Sequence, residues 1–167
     1  GPGEAPRFVM LETIREYAID QLGRRGEAAA LQRSHAEYFM ALAEQAEPEL
    51  VGPRQVAWLD RMERDLDNLR AALAWSLEQG EAELGLRLAG ALSAFWYTRS
   101  HWNEGRRWFE ALLAQGDRAA PASRAKALLG AGQLATFQND YEPAQDLCQQ
   151  AHARALELDE RRGAAWA

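Results

Sequence analysis

The amino-acid sequence predicts an all-α fold of antiparallel helical hairpins that stack on one another. Three observations support this fold class. Matching residues recur about 39 positions apart in the second half of the chain. Upstream of this repeat, apolar residues are spaced three and four positions apart, which is typical of amphipathic helices. A helical hairpin also exposes an apolar face that it cannot cover alone, so that repeated hairpins are expected to stack on one another.

The N-terminal stretch is interpreted as a linker followed by the end of another domain. Its first three residues, Gly-Pro-Gly, are typical of the scar left when a protease removes a tag, and residues 1–6 are assigned to this scar and a linker. Residues 6–10 begin with proline and have extended character, which indicates a short strand. A helix is expected over residues 11–22, where apolar residues recur at helical spacing before two glycines.

Two further helical stretches precede the repeat. Residues 27–46 are expected to bury one stripe, made of Leu31, His35, Tyr38, Phe39, Leu42, Ala43 and Ala46. Residues 54–79 contain neither glycine nor proline. Their apolar residues keep a near-heptad spacing and are Leu59, Met62, Leu66, Leu69, Leu73 and Leu77. This stretch could be one long helix or two, and Asp65 as an internal N-cap favours a kink or break there.

The repeat occupies residues 81–158 as two predicted hairpins. The second copy contains Leu128, Gly132, Ala135, Asn139, Tyr141, Ala144, Cys148 and Ala151. The matching residues 39 positions upstream are Ala89, Ser93, Trp96, Ser100, Trp102, Gly105, Phe109 and Leu112. A third, truncated copy is expected over residues 159–167, because the segment from Arg162 to Trp166 matches the segment from Arg124 to Leu128.

This pattern resembles the tetratricopeptide repeat, an α-solenoid unit. That family has a bulky and a small residue in the first helix, an aromatic residue after the turn, and small residues in the second helix. The matching residues here are Leu128 or Trp166, Gly132, Tyr141, Ala144 and Ala151. The sequence departs from the family at Cys148, where a large aromatic is usual, at Leu156, where proline is common, and in a period longer than about 34. The resemblance implies a right-handed superhelix of hairpins and a binding role rather than catalysis.

A second resemblance covers most of the chain. Three segments carry it, RFVMLETIREYA at 7–18, RSHAEYF at 33–39 and WLDRMERDLDNLRAAL at 58–73. Together they resemble a junction in bacterial STAND regulators, signal-transducing ATPases with numerous domains. In that family a nucleotide-binding module and a winged-helix module precede helical sensor repeats. The resemblance implies that residues 7–23 end the winged helix, that 27–79 form a helical adaptor and that 81 onward begin the sensor.

Composition excludes several classes of function. No apolar run approaches the ~20 residues of a membrane-spanning helix, so no membrane contact is expected. The net charge is −6 and the arginines are scattered among more numerous acids, which argues against direct nucleic-acid binding. The single cysteine cannot form an internal disulfide, and no secretory signal precedes the predicted fold. A cytoplasmic location is therefore expected.

No residue set is typical of catalysis, a metal or a cofactor. His35 lies on an apolar stripe and is interpreted as a buried, hydrogen-bonded structural histidine rather than a base. Cys148 is interpreted as a small buried apolar residue rather than a nucleophile. His101 and His152 have no neighbours at metal-ligand spacing. Since no glycine-rich phosphate loop is present either, an ATPase module is expected outside this segment.

The aromatic cluster between residues 95 and 109 could form part of the core or a binding surface, because large aromatic side chains are common in both. Trp96, Trp102 and Phe109 occupy packing positions of the repeat and are assigned to the core. Positions on the inner, concave wall are predicted to meet a partner first. These candidate groove residues are Arg87, Tyr97, Thr98, Lys126, Gln133 and Phe137.

Three functions follow as alternatives. The first is a sensor in which a protein or small-molecule effector binds the groove and controls the adjacent nucleotide-binding and winged-helix modules. The second is a freestanding scaffold that self-associates through its truncated C-terminal repeat. The third, an enzyme, is disfavoured because no nucleophile, base and orienting group cluster in the sequence.

Overall fold

The chain from residue 27 onward is a series of helices joined by short turns. A computed structural model describes the backbone of residues 27–165 and the side chains of residues 27–156. The expected strand at 6–10 and helix at 11–22 lie outside the described residues. The α-helices are α1 (Ala28–Ala46), α2 (Gln55–Arg64), α3 (Leu66–Glu78), α4 (Ala82–Ala91), α5 (Ser93–Thr98), α6 (Trp102–Gln115), α7 (Pro121–Phe137) and α8 (Tyr141–Ala165). Two 3-10 helices span Glu47–Val51 and Gly116–Arg118. An all-α fold is thus confirmed across the described part of the chain.

Two compact units divide the chain, residues 1–34 and 35–167, and the core described here belongs to the second. In this unit α1 buries Ala36, Phe39, Leu42, Ala43 and Ala46. The prediction was wrong for three members of the stripe, since Leu31 and Tyr38 are exposed and His35 is only half-buried. The His35 and Tyr38 rings lie at the edge of the stripe and pack beside Phe39, with centroids 4.7 and 5.0 Å away.

Residues 54–79 form two helices that meet at Asp65. Its φ of −98° and ψ of 7° interrupt the helix, which confirms the predicted break. The predicted cap is wrong, because the Asp65 side chain makes no capping hydrogen bond. Backbone bonds from Asp65 to Arg61 and from Leu69 to Asp65 instead continue across the junction. The near-heptad residues from Leu59 to Leu73 are buried and Leu77 is half-buried.

The two predicted hairpins are present and keep the 39-residue spacing at the start of each helix. The first contains α4, α5 and α6, and the second contains α7 and α8. Helices α4 and α7 begin at Ala82 and Pro121, whereas α6 and α8 begin at Trp102 and Tyr141. The helix α8 stays helical to Ala165. The third repeat at 159–167 remains a prediction.

Both hairpins turn with the same backbone hydrogen bonds. Ser100 and Asn139, 39 residues apart, have left-handed φ values of 61° and 62°, and Gly80, which follows α3, has 69°. In each turn the next amide donates to the carbonyl five residues back. These bonds run from His101 to Trp96, from Asp140 to Ala135 and from Glu81 to Ser76, at 2.9, 3.0 and 2.8 Å. The pattern is the Schellman motif, which satisfies carbonyl groups at a helix end.

The core between the hairpins is built from large side chains packed on glycine. Trp96 and Phe109 are fully buried and meet edge to face, with ring centroids 5.4 Å apart. A Cβ atom added to Gly105 would lie 2.8 Å from the Trp96 ring, and one added to Gly130 would lie 2.6 Å from the Phe109 ring. Close helix packing here therefore requires glycine at both positions. The core assignment of Trp96 and Phe109 is confirmed.

Across the described residues, no helix combines the length and apolar character required to cross a membrane.

Candidate partner-binding groove

A groove of about 860 Å³ opens between the first helices of both hairpins and the 3-10 helix Glu47–Val51. We call it the inner groove. It is lined by Glu47, Pro48, Val51, Gly90, Ala91, Ser93, Ala94, Tyr97, Gln133, Thr136 and Phe137. The 3-10 segment belongs to the predicted adaptor and the other lining residues belong to the predicted repeats. The groove is thus shared by two parts of the chain that are distant in sequence.

The floor of the inner groove lies where α4 gives way to α5. Leu92 separates the two helices and is itself buried. The lining on either side of it consists of small residues, Gly90, Ala91, Ser93 and Ala94. The Ser93 hydroxyl donates to the carbonyl of Gly90 at 2.9 Å, and the Thr136 hydroxyl donates to that of Gly132 at 2.9 Å. Both hydroxyls are therefore satisfied by their own helices.

Aromatic side chains form one wall of the groove. The Tyr97 and Phe137 rings lie 4.1 Å apart between centroids, and each side chain is 44% exposed. Trp102 lies behind them, 6.5 Å from Phe137, and its indole nitrogen donates to the carbonyl of Tyr97 at 2.9 Å. The core assignment of Trp102 is therefore only partly right, because its position at the start of α6 leaves it half-buried.

Two ion pairs connect the end of α1 and the 3-10 segment to the hairpins. The Arg87 guanidinium donates two hydrogen bonds of 2.8 Å to the Glu44 carboxylate, and this pairing raises the pKa of Arg87. The Lys126 ammonium donates to Glu47 at 2.5 Å. The stem of Lys126 also covers Gly90, whose added Cβ would lie 3.1 Å from the Lys126 Cδ. These contacts hold the adaptor wall against the repeat wall.

Three of the six predicted groove residues, Tyr97, Gln133 and Phe137, line the inner groove. Arg87 and Lys126 lie beside it with their charged ends in ion pairs, whereas the exposed Thr98 is outside the lining. Their role in binding stays a prediction. Sequence reasoning missed the adaptor wall, Glu47, Pro48 and Val51. Glu47 meets Lys126 across 79 residues, and no local pattern indicates such a contact.

A second groove of about 710 Å³ lies between α3 and α6. Arg70 and Glu104 cross it with two hydrogen bonds of 2.7 Å. The hydrogen bond from Arg70 lowers the pKa of Glu104, and burial opposes this effect. Because two hydrogen bonds join these groups across the groove, this pair is interpreted as a structural link between α3 and α6.

The exposure of Cys148 differs from the prediction. This residue is exposed rather than buried, although its sulfur would lie 2.9 Å from a Cβ added to Gly132. The reason is that α8 packs on α7 through the face that carries Ala144 and Ala151, and Cys148 lies at the edge of that face. Among the described residues, no group of three or more His, Cys, Asp or Glu is placed to hold a metal ion.

Comparison with known proteins relates this chain to bacterial regulators. No family model matches it, and no solved structure matches it either. It is 38% identical over 135 residues to "Putative HTH-type transcriptional regulator Rv0890c" of Mycobacterium tuberculosis. "Putative HTH-type transcriptional regulator Mb0914c" of Mycobacterium bovis matches to the same extent. The match covers 78% of this chain and 15% of each relative. The chain therefore spans about 15% of the length of the curated relatives that it matches.

Proposed function

We propose that this chain is a non-catalytic sensor segment of a STAND-type transcriptional regulator. In this proposal, tetratricopeptide-like hairpins form part of a cytoplasmic right-handed superhelix. An effector, either a protein or a small molecule, binds the inner groove and controls a neighbouring nucleotide-binding module. The names of the relatives support a role in transcriptional regulation. The segment itself is assigned no catalytic residue, metal ligand or cofactor.

The observation that carries this proposal is that two parts of the chain, the 3-10 segment and the hairpins, both line the inner groove. Val51 and Glu47 come from the adaptor, whereas Tyr97 and Phe137 come from the hairpins. An occupant would contact both walls together, so its binding energy depends on how they are placed. A ligand that favours one placement shifts the equilibrium toward it. The adaptor would carry this shift to the modules on its N-terminal side.

The test uses the full-length regulator and charged substitutions at exposed groove positions. Val51→Glu and Tyr97→Glu each place a carboxylate in the apolar groove. Val56→Glu and Tyr141→Glu are matched controls, because Val51 and Val56 are 77% and 70% exposed and Tyr141 is also exposed. Neither control residue lines the inner groove.

We expect both groove variants to change ATP hydrolysis by the full-length protein at least threefold in the same direction. The two control variants should match the wild type. Full-length protein without ATP hydrolysis would refute the assignment to STAND regulators. Equal effects of groove and control substitutions would refute the sensor role of the groove.

Exposed apolar residues on the second hairpin favour the scaffold as a second candidate. Leu129, Tyr141 and Leu156 are 49, 63 and 51% exposed. Such residues can join copies of a chain when they form a continuous patch. Sedimentation velocity across a hundredfold range of concentration tests this function. Self-association that Leu129→Ser and Leu156→Ser abolish would support the scaffold, and a constant monomer would exclude it.

A further inference from the structure

Most polar side chains of the inner groove already have a partner within the chain. Glu47 is paired with Lys126 through one carboxylate oxygen, and the Ser93 and Thr136 hydroxyls donate to helix carbonyls. Among the side chains that the structure describes in the lining, Gln133 and the Tyr97 hydroxyl have no hydrogen bond to the protein. The groove thus offers an occupant apolar surface, two free side-chain donors, and further acceptors on Glu47 and the two hydroxyls.

The polar groups of the lining restrict the kind of molecule that can bind in the groove. Every residue of an extended peptide other than proline brings a backbone N–H and a carbonyl that need partners. Among the lining side chains that the structure describes, Gln133 and Tyr97 are the free donors, which are too few for the carbonyls of a peptide along a groove of this size. A charged group on the contacting face would also lose water, and Glu47, the charged side chain of the described lining, is already paired with Lys126. An α-helix satisfies its own backbone and presents only side chains, which matches the lining.

The open shape of the groove points to the same occupant. Val51 is 77% exposed at one edge, and Tyr97 and Phe137 remain 44% exposed at the other. Drug-sized ligands are usually buried by about 70–90% of their surface, which so open a groove would not provide. An amphipathic helix covers such a surface and keeps its own polar face in water. Small residues in the lining, Ala91, Ser93 and Ala94, leave space for large apolar side chains.

We infer that the inner groove binds the apolar face of an amphipathic helix from an effector protein. This inference rests on the proposed function and names the class of its effector. The helix would place leucine or aromatic residues, spaced three, four and seven positions apart, over the small-residue floor. Tyr97 and Phe137 contact it from the repeat side and Val51 from the adaptor side. Its contacting face is uncharged.

The test is selection from a library of unconstrained random 16-residue peptides displayed on phage, with the 167-residue chain as bait. Tyr97→Glu serves as the counter-selection bait and Tyr141→Glu as the matched control. We expect enriched peptides to have apolar residues at helical spacing. They should gain helical circular dichroism in the complex and bind Tyr97→Glu at least tenfold more weakly than Tyr141→Glu.

Two results would overturn the inference. One is enrichment of proline-rich, extended or charged peptides that compete for the groove. The other is selection that yields no peptide dependent on Tyr97. Neither result affects the ATP hydrolysis test, in which the sensor role depends on Val51 and Tyr97 whatever the shape of the effector. Failure of this inference is thus distinguishable from failure of the proposed function.

Discussion

Gly105 is a residue at which the packing between the hairpins leaves no space for a larger side chain. A Cβ there would lie 2.6 Å from the Leu134 Cδ1 and 2.8 Å from the Trp96 ring. Overpacking of this kind costs about 1–3 kcal/mol, against a gain in helix propensity of about 1 kcal/mol. We expect Gly105→Ala to lower the free energy of unfolding by up to about 2 kcal/mol in urea titrations.

Gly90 provides the matched control for this substitution. It is also a buried helical glycine, but its nearest neighbours are the Cδ and Cγ atoms of Lys126, at 3.1 and 3.2 Å. A flexible lysine stem can move away, so that the helix propensity of alanine should dominate. Gly90→Ala is expected to leave the free energy of unfolding unchanged or to raise it by up to about 1 kcal/mol. The opposite ranking of the two variants would contradict the packing described here.

The exposure of Cys148 is tested by its reactivity. It is the only cysteine in the sequence, so each labelled thiol reports on this position. The native chain is expected to react fully with 5,5′-dithiobis(2-nitrobenzoic acid), within about tenfold of the rate in denaturant, because thiol reactivity follows access and thiolate content. Labelling that occurs only after unfolding would show that Cys148 is buried.

The residues that could be predicted are those whose environment is set within the repeat. Trp96 and Phe109 are large apolar side chains at helix-facing positions, and both are buried. Cys148 occupies the position equivalent to Phe109 but is exposed. The difference arises because α7 covers Phe109, whereas nothing in the described part of the chain covers Cys148 in the same way. Residue type and spacing alone do not distinguish these two environments.

At the scale of elements, the left-handed turns limit which residues close a hairpin well. Ser100 has a φ of 61°, a conformation that costs residues with a Cβ about 1–2 kcal/mol. Ser100→Gly removes this cost but adds freedom to the unfolded chain, an opposing effect of about 0.4–1 kcal/mol. We expect a net gain in unfolding free energy on the order of 0.5–1 kcal/mol.

The control for this substitution is Thr98→Gly, two residues earlier and at the end of α5. Helical glycine lowers stability, and the control should lose up to about 1 kcal/mol. Thermal unfolding followed by circular dichroism can rank the three proteins. A Ser100→Gly protein less stable than the wild type would show that the turn depends on the serine side chain.

The link between α3 and α6 predicts a particular dependence on pH. The pKa of Glu104 is lowered in the folded chain, mainly by the hydrogen bond from Arg70. A lowered folded pKa means that the contribution to stability is present above the unfolded value of about 4.3 and is lost as the pH falls through the folded value. The charged pair therefore stabilises the fold at neutral pH and weakens in acid.

Glu104→Gln removes this titration and keeps the shape of the side chain. We expect the variant to be less stable than the wild type by about 1–2 kcal/mol at pH 7, since a hydrogen bond to a charged group is lost. The difference should shrink as the pH falls below about 4.3. Denaturant titrations between pH 3 and 7 measure it, and a difference that does not vary with pH would contradict the assignment.

Element boundaries were predictable where the chain provides a local signal. The spacing of apolar residues predicts α1, and Asp65 marks the junction between α2 and α3. The cap at Asp65 was not predictable, because continuing backbone bonds compete with a side-chain cap. The break at Leu92 was not predicted, since the residues around it are all compatible with helix.

At the scale of the molecule, two ion pairs fix the adaptor wall of the inner groove. Lys126 and Glu47 are 40 and 38% exposed, and pairs of this kind contribute about 0.2–1 kcal/mol. We expect Glu47→Gln together with Arg87→Gln to change the free energy of unfolding by less than about 2 kcal/mol. The same variant should speed amide hydrogen exchange in the 3-10 segment Glu47–Val51 severalfold.

The control for this experiment is Asp67→Asn. It breaks the pair between Arg70 and Asp67, which lies within α3 and involves neither the 3-10 segment nor the hairpins. Exchange in α7, measured in the same samples, shows whether the effect stays local. Equal exchange in the double variant and in the control would mean that the ion pairs do not hold the wall.

The inner groove shows how far sequence reasoning reaches at this scale. Its repeat wall could be predicted, because helical spacing places Tyr97, Gln133 and Phe137 on the inner faces of their helices. The adaptor wall could not, because it depends on how α1 ends and on pairs such as that between Lys126 and Glu47, 79 residues apart. Contacts over such separations have no periodic signal in the sequence.

Because the two hairpins turn in the same way, one hairpin is a unit that can be duplicated within the chain. The helices of both hairpins start 39 residues apart, and Ser100 and Asn139 turn the chain with the same hydrogen bonds. An in-frame duplication of residues 82–120 would therefore join Ala120 to Ala82 at a junction that the chain already tolerates before Pro121. The array could be lengthened by whole units without designing a new loop. Each duplication would add 39 residues of hairpin to the chain.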